Sequence, residues 1–307
     1  MTADQGSPSD DTDGGTTSKK KTVWLAVVVA LVSLLSGAVI RDAFTPSETA
    51  VVDPAPQAMY GGRPPTAPYP FVVTVVNPKV EGTSCVGSLI TPHWVLTAAH
   101  CHPILTPGET TVLAGTSTPG RGGETIPIDQ VVIHPQFRLN YVPSYSNKNG
   151  PPGDHDAALV HLDHPVAYPT VPVGADMTPA GRKLRGVSFQ AGCSETFGDR
   201  QCYDPQMQEV DLHTVPPTQC TAIAADSELC IQGENGALMC RGTSGSPLLD
   251  DTATPPHLVA LVSRDGDDNI ACSGGSLIVT SVAPLRAWIS SVIASGPAGP
   301  PATAGPR

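Results

Sequence analysis

Apolar residues recur along this chain in short runs parted by glycine and proline: FVVTVV from Phe71, SLI from Ser88, WVLTAA from Trp94, QVVI from Gln130, AALVHL from Ala157, HLVALVS from His257 and SLIVTSV from Ser276. Runs this short, rich in β-branched residues and bounded by turn formers, predict strands, and their regular spacing predicts an all-β sandwich or pair of barrels. One segment breaks the pattern. After Pro284, the apolar positions Leu285, Trp288, Ile289, Val292 and Ile293 follow helical spacing, and proline is tolerated in a first turn, so a C-terminal helix is expected there. No internal repeat is visible.

The flanks read differently. Residues 1–21 are acidic and rich in Gly, Ser and Thr before Lys19, Lys20 and Lys21, which predicts a disordered cytoplasmic tail. Residues 22–40 carry no charge and are long enough to span a hydrocarbon layer of about 30 Å. With the lysines held on the cytoplasmic side, this segment is either a transmembrane anchor or, given Ser36-Gly37-Ala38 near its end, a cleaved signal sequence. In both cases the chain beyond Arg41 lies outside the membrane. Residues 41–59 form a Pro-rich stalk, a composition that continues to Pro70, and residues 295–307 form a second disordered tail. The expected folded domain is 60–294.

Charge and cysteine content narrow the function. Of 307 residues, 17 are Lys or Arg against 28 Asp or Glu, a net charge of -11, so nucleic acid is excluded as a main partner because phosphate binding needs a basic footprint. The 8 cysteines all lie between Cys85 and Cys272 and form no CxxC pair. That pattern predicts four disulfides formed outside the cytosol, with connectivity left open by spacing alone. His155, His161 and His164 invite a zinc reading, but their neighbours alternate as on a strand, and neither metal nor cofactor is expected.

Three segments carry candidate chemistry: Leu96-Thr97-Ala98-Ala99-His100-Cys101; Asp154-His155-Asp156 leading into Ala157-Ala158-Leu159-Val160-His161-Leu162; and Cys240-Arg241-Gly242-Thr243-Ser244-Gly245-Ser246-Pro247. In the order His, Asp, Ser, and with GSLITPHWVLTAAHC at 87–101, the chain resembles the chymotrypsin-like (trypsin family) serine proteases from about Tyr60 to Ile293, in an actinobacterial-style membrane-anchored form. The resemblance implies two six-stranded antiparallel β-barrels with a C-terminal helix and a serine endopeptidase. Ser244 would be the nucleophile, His100 the base and then acid, Asp156 the orienting carboxylate, and the N–H groups of Gly242 and Ser244 the oxyanion donors. Asp154 is the rival acid, but no small apolar run follows it directly. The resemblance also implies disulfides Cys85–Cys101, Cys220–Cys230 and Cys240–Cys272, leaving Cys193 and Cys202 to pair locally.

Two departures from the family pattern shape the expected activity. Relatives have Asp before the serine, paired with a new N-terminus freed by cleavage. Here Thr243 stands at that position, and Met59-Tyr60-Gly61-Gly62 replaces the family's Ile-Val-Gly-Gly. Losing one member of a buried ion pair is costly, whereas replacing both can be neutral, so the enzyme is expected to need no cut at Tyr60. Ser246, where relatives have glycine, puts the packing behind the nucleophile in question. The pocket floor falls on Leu238 and Met239, with Leu277 on the opposite wall and Ser263, Arg264 and Asp265 on the substrate-binding strand. Such a slot would leave a basic P1 side chain unpaired, so small or medium apolar P1 residues are expected unless Asp265 reaches the pocket. The protein is expected to be monomeric, with a polypeptide substrate. A catalytically inactive protease-like binding or scaffold protein is the alternative, and a lipid- or carbohydrate-directed hydrolase is disfavoured because the serine is not in a GxSxG elbow.

Overall fold

The computed structural model describes residues 59–80, 84–118, 121–138, 154–189, 193–196, 199–202, 206–239, 242–267 and 274–296. The expected cytoplasmic tail, the apolar segment 22–40, the stalk up to residue 58, the tail beyond residue 296, Cys240 and Cys272 lie outside these. Among the described residues no helix is long and apolar enough to cross a membrane.

A two-residue strand, β1 (Met59–Tyr60), precedes the first barrel. That barrel is built from β2 (Val72–Val76), β3 (Ser84–Thr91), β4 (Trp94–Thr97), β5 (Thr111–Ala114), β6 (Glu124–Ile133) and β7 (Ala158–Leu162). It closes in the order β2-β3-β4-β7-β6-β5. Closure explains why VVTVV and ALVHL carry so little polar alternation. Every β7 side chain is buried, one face in the barrel and the other against the rest of the domain.

The second barrel uses β8 (Lys183–Phe189), β11 (Met207–Val215), β12 (Glu228–Gly233), β14 (Pro247–Asp250), β15 (His257–Asp265) and β16 (Leu277–Ser281). It closes in the order β11-β12-β16-β15-β14-β8. Between β8 and β11 lies a hairpin of β9 (Cys193–Thr196) and β10 (Asp199–Cys202), in which Cys193 and Cys202 are register partners. Strand β13 (Leu238–Met239) pairs with β1.

Each barrel has its own core, and a third apolar cluster fills the seam between them. Val72, Leu96 and Leu159 of the first barrel meet Val187, Leu249 and Leu261 of the second there. Helix α1 (Arg286–Ser295), where the helical periodicity was expected, covers this seam with Ile289, and Leu285 just before it is fully buried. At about 1.5–3 kcal/mol per fully buried aliphatic side chain, the seam is what holds the two barrels in one arrangement.

The proline-rich composition does not stay extended up to Pro70. Glu209, buried on β11, accepts hydrogen bonds from Thr66 N at 3.0 Å, Thr66 Oγ1 at 2.9 Å and the Tyr69 hydroxyl at 2.8 Å, and Arg63 lies 3.0 Å from it. This buried acceptor pulls the segment 63–69 onto the second barrel.

Candidate active site

Strand β4 ends at Thr97, and a short 3-10 turn, Ala99–Ile104, carries His100. Its neighbour Cys101 is bonded to Cys85 on β3, which ties the turn to the barrel, and a second disulfide joins Cys220 to Cys230. Both pairings agree with those the resemblance implies.

Asp156 grips His100 twice. The backbone N–H of His100 donates to Oδ1 at 2.8 Å, and ring Nδ1 lies 2.6 Å from Oδ2. An ionised carboxylate only accepts, so Nδ1 carries the hydrogen and Nε2 is left with its lone pair. The Ser263 hydroxyl donates a third bond to Oδ2 at 2.7 Å. Burial alone would push the Asp156 carboxyl up, but the charge and hydrogen bond of His100, with the Ser263 bond, outweigh it and hold the group below its ordinary value. Burial likewise opposes a charged His100, yet the facing carboxylate prevails and holds the imidazole above its ordinary value, with Arg264 pulling the other way.

The segment with Ser244 is stitched to both barrels. Val86 N of the first barrel donates to the Ser244 carbonyl at 2.8 Å, while Gly245 N donates to Val262 O at 2.9 Å and Val262 N to Ser246 O at 2.9 Å in the second. A Cβ on Gly245 would lie 2.2 Å from the Val86 carbonyl oxygen and 2.4 Å from Thr97 Oγ1, and the residue has φ +79, so only glycine permits this approach. Thr97 itself donates to Val86 O at 2.7 Å. Ser244 is thereby fixed beside the end of β4, from which the chain runs through Ala98 and Ala99 to His100, and it remains half-buried rather than closed off. Gly242, at φ +88, turns the backbone just before it. Ser246 is fully buried and donates to Ser188 Oγ at 2.7 Å, so its hydroxyl is satisfied; Thr243 is also fully buried.

The residues expected to line the substrate pocket fall into two sets. Leu238, Met239 and Leu277 are buried together in the apolar cluster of the second barrel, which also holds Met59. On β15 the register shifts between Val262 and Arg264, so Ser263 is a bulged residue. A bulge re-aims its side chain, and this one sends Ser263 to Asp156. Arg264 turns to the buried Glu228, donating to both carboxylate oxygens and to the Ala222 carbonyl. Asp265 is half-buried opposite Leu277. Sequence reading put Ser263 only on the substrate strand; nothing in its neighbours signals the bulge.

Asp154 and Asp156 take separate places, since Asp154 binds Ser227 at 2.5 Å and not His100. The three histidines considered for zinc do not converge. His155 stacks on His134, His161 lies 2.6 Å from Asp129 and stacks on His93, and His164 is exposed beside Glu124 and Asp163. Among the described residues no group of three or more His, Cys, Asp or Glu is arranged to hold a metal ion.

Two closed six-stranded barrels, with a histidine after β4 paired to an aspartate before β7 and a glycine-flanked serine segment bonded to both barrels, define the chymotrypsin-like class. The family model described as Trypsin matches residues 60–289, and the chain belongs to that family. It is similar to granzyme M of Rattus norvegicus, 27% identical over 235 residues that cover 73% of this chain and 84% of that protein. Coagulation factor XII of Sus scrofa is 31% identical over 227 residues, 67% of this chain but only 35% of the longer relative. Kallikrein-2 of Homo sapiens is 23% identical over 229 residues, covering 69% and 81%. The protein is a serine-type endopeptidase.

Proposed function

We propose that Ser244, His100 and Asp156 form the catalytic triad of an extracytoplasmic endopeptidase that prefers small or medium apolar P1 residues. The observation that carries this reading is the double grip of Asp156 on His100, which leaves Nε2 as the acceptor. In the first half-reaction Nε2 takes the Ser244 proton as Oγ attacks the scissile carbonyl. The resulting oxyanion accepts hydrogen bonds from the N–H groups of Gly242 and Ser244, a donor pair of which each member is worth about 2.7–4 kcal/mol in the transition state. His100 then gives its proton to the leaving amine, and water repeats the sequence on the acyl-enzyme. Asp156 stays ionised throughout and stabilises the imidazolium.

Leu238, Met239 and Leu277 support the P1 preference because they are buried in one apolar cluster, and a cationic side chain seated against it would lose its water without gaining a partner. Activity without a cut near Tyr60 is supported by Met59, whose apolar side chain is fully buried where a new charged terminus would have to find a partner. The disulfides support a site of action outside the cytoplasm, reached with residues 22–40 as an anchor or after their removal.

A fluorophosphonate probe applied to purified protein tests the reading. Wild type should be labelled, and Ser244→Ala and His100→Ala should not. Labelling that survives in Ser244→Ala would refute the assignment. A panel of P1-varied peptides tests the pocket, and preferential cleavage after Arg would reject the apolar floor.

A further inference from the structure

Asp156 does not sit on a relaxed loop. His155, immediately before it, has φ +49, a region that costs a residue with a Cβ and persists only where surrounding contacts impose it. Ala157 N closes a tight turn onto His155 O at 2.7 Å, and beyond the turn His134 N donates to Ala157 O at 3.0 Å. The His155 ring is stacked on His134, centroids 4.5 Å apart and planes within 10°, and His134 in turn meets the Trp288 ring of α1 edge-on at 4.8 Å. These contacts hold the far side of the turn. The near side is held by Asp154, whose backbone carbonyl accepts from Arg138 N at 3.2 Å and whose Oδ1 accepts from Ser227 Oγ at 2.5 Å.

The Asp154–Ser227 bond crosses between the barrels. Asp154 precedes β7 of the first barrel, whereas Ser227 immediately precedes β12 of the second and is itself fixed, since Ser281 N donates to its carbonyl at 2.9 Å and its own N–H bonds Ala224 O at 3.0 Å. Ser227 is buried, and its neighbour Glu228 is neutralised by Arg264. The hydroxyl is therefore a rigid point on the second barrel, and it binds Asp154 two residues before the carboxylate that orients His100. A second inter-barrel bond, Ser263 to Asp156, reaches the same turn.

We infer that Asp154 is a positioning residue: by accepting the Ser227 hydroxyl across the junction of the barrels, it imposes the strained His155 turn that keeps Asp156 seated on His100. This rests on the triad reading above. Asp154 does not touch the reacting groups and acts through Asp156, so losing its bond loosens the seat without removing the carboxylate.

The test compares Asp154→Ala, Ser227→Ala, Asp154→Asn, the double alanine variant and Asp156→Asn, with turnover expressed per fluorophosphonate-titrated site. Asp154→Ala and Ser227→Ala should each lower kcat about tenfold, the scale of one lost hydrogen bond, with KM little changed. Both should move the acid limb of kcat/KM to lower pH, because a loosely held carboxylate supports the imidazolium less. The double variant should fall no further than either single one, and Asp154→Asn, which keeps an acceptor oxygen, should recover most of the loss. Unchanged turnover per titrated site and an unmoved acid limb in both alanine variants would overturn the inference, as would an Asp154→Asn variant as impaired as Asp154→Ala. Asp156→Asn separates the two levels. If it keeps full turnover, the triad reading itself fails; if it is inactive while the Asp154 and Ser227 variants are normal, only the positioning role fails.

Discussion

Met59 and Met239 lie opposite each other across the short antiparallel ladder of β1 and β13, and neither side chain has any exposed surface. The partner pair, Tyr60 and Leu238, directs Tyr60 outward, where it is 46% exposed. Met59 thus contributes a buried thioether to the apolar cluster of the second barrel, which also holds Leu238, Met239 and Leu277.

A polar group at position 59 should therefore damage the site rather than activate it. Met59→Asp would bury an unpaired carboxylate in an apolar cluster, and the fraction of protein titrated by a fluorophosphonate should fall sharply. Met59→Leu, which roughly conserves volume, should keep most of it, since such exchanges usually cost below about 1.5 kcal/mol. Active-site titration of full-length ectodomain before and after limited proteolysis near Tyr60 completes the check. A gain in titrated sites only after the cut would contradict the reading.

His134 should mark the acid limit of stability. Burial, reinforced by the facing His155 and opposed by Asp154, pushes this imidazole down from 6.5 to about 4. The folded protein therefore holds the ring neutral where the unfolded chain would bind a proton, so its contribution is complete above pH 6.5 and is lost as pH falls towards about 4. An NMR titration of the His134 ring should give a midpoint of about 4. His134→Phe, which keeps an aromatic ring between His155 and Trp288, should flatten the fall of Tm with acidification. A His134 midpoint at the ordinary imidazole value would contradict the assignment.

Glu209 should be the costliest single loss for the anchoring of the segment that precedes the first barrel. Besides Thr66 and Tyr69 it receives Arg185 Nη1 at 2.8 Å. Burial pushes its carboxyl up, but the Thr66 and Tyr69 hydrogen bonds and the Arg185 charge hold it below the ordinary glutamate value. Glu209→Ala leaves these donors facing a void and should cost about 3–5 kcal/mol, read from urea unfolding. Glu209→Gln, which keeps one acceptor, should cost less. Because the folded carboxyl is the stronger acid, its stabilisation is present above the ordinary glutamate value and fades as pH drops below it.

Much of this architecture could be read in advance, and the exceptions share a cause. The runs from Phe71, Ser88, Trp94, Gln130, Ala157, His257 and Ser276 all fall in strands, and those from Phe71, Trp94, Ala157 and Ser276 are apolar at nearly every position because both their faces are buried. Strand β11, MQEVDLHTV, was not visible as a strand. Its buried positions include Glu209, whose burial makes sense only once Arg63, Thr66, Tyr69 and Arg185 have gathered around it from elsewhere in the chain. Stretch 63–70 hides its conformation for the same reason: its prolines suggest an extended spacer, and its anchor lies some 140 residues away.

Local order along the chain determined the element types, the C-terminal helix and the three segments with candidate chemistry, since periodicity, turn residues and motif spacing are properties of neighbours. Only the folded arrangement decided that Asp156 rather than Asp154 meets His100, that Ser263 is bulged toward that carboxylate, that Met59 is sealed against Met239 and that Ser227 braces the turn. The polar contacts among these depend on groups far apart in the chain being brought within about 3 Å, the range in which a hydrogen bond has any strength, and the Met59 contact depends on β1 pairing with β13 from far along the chain.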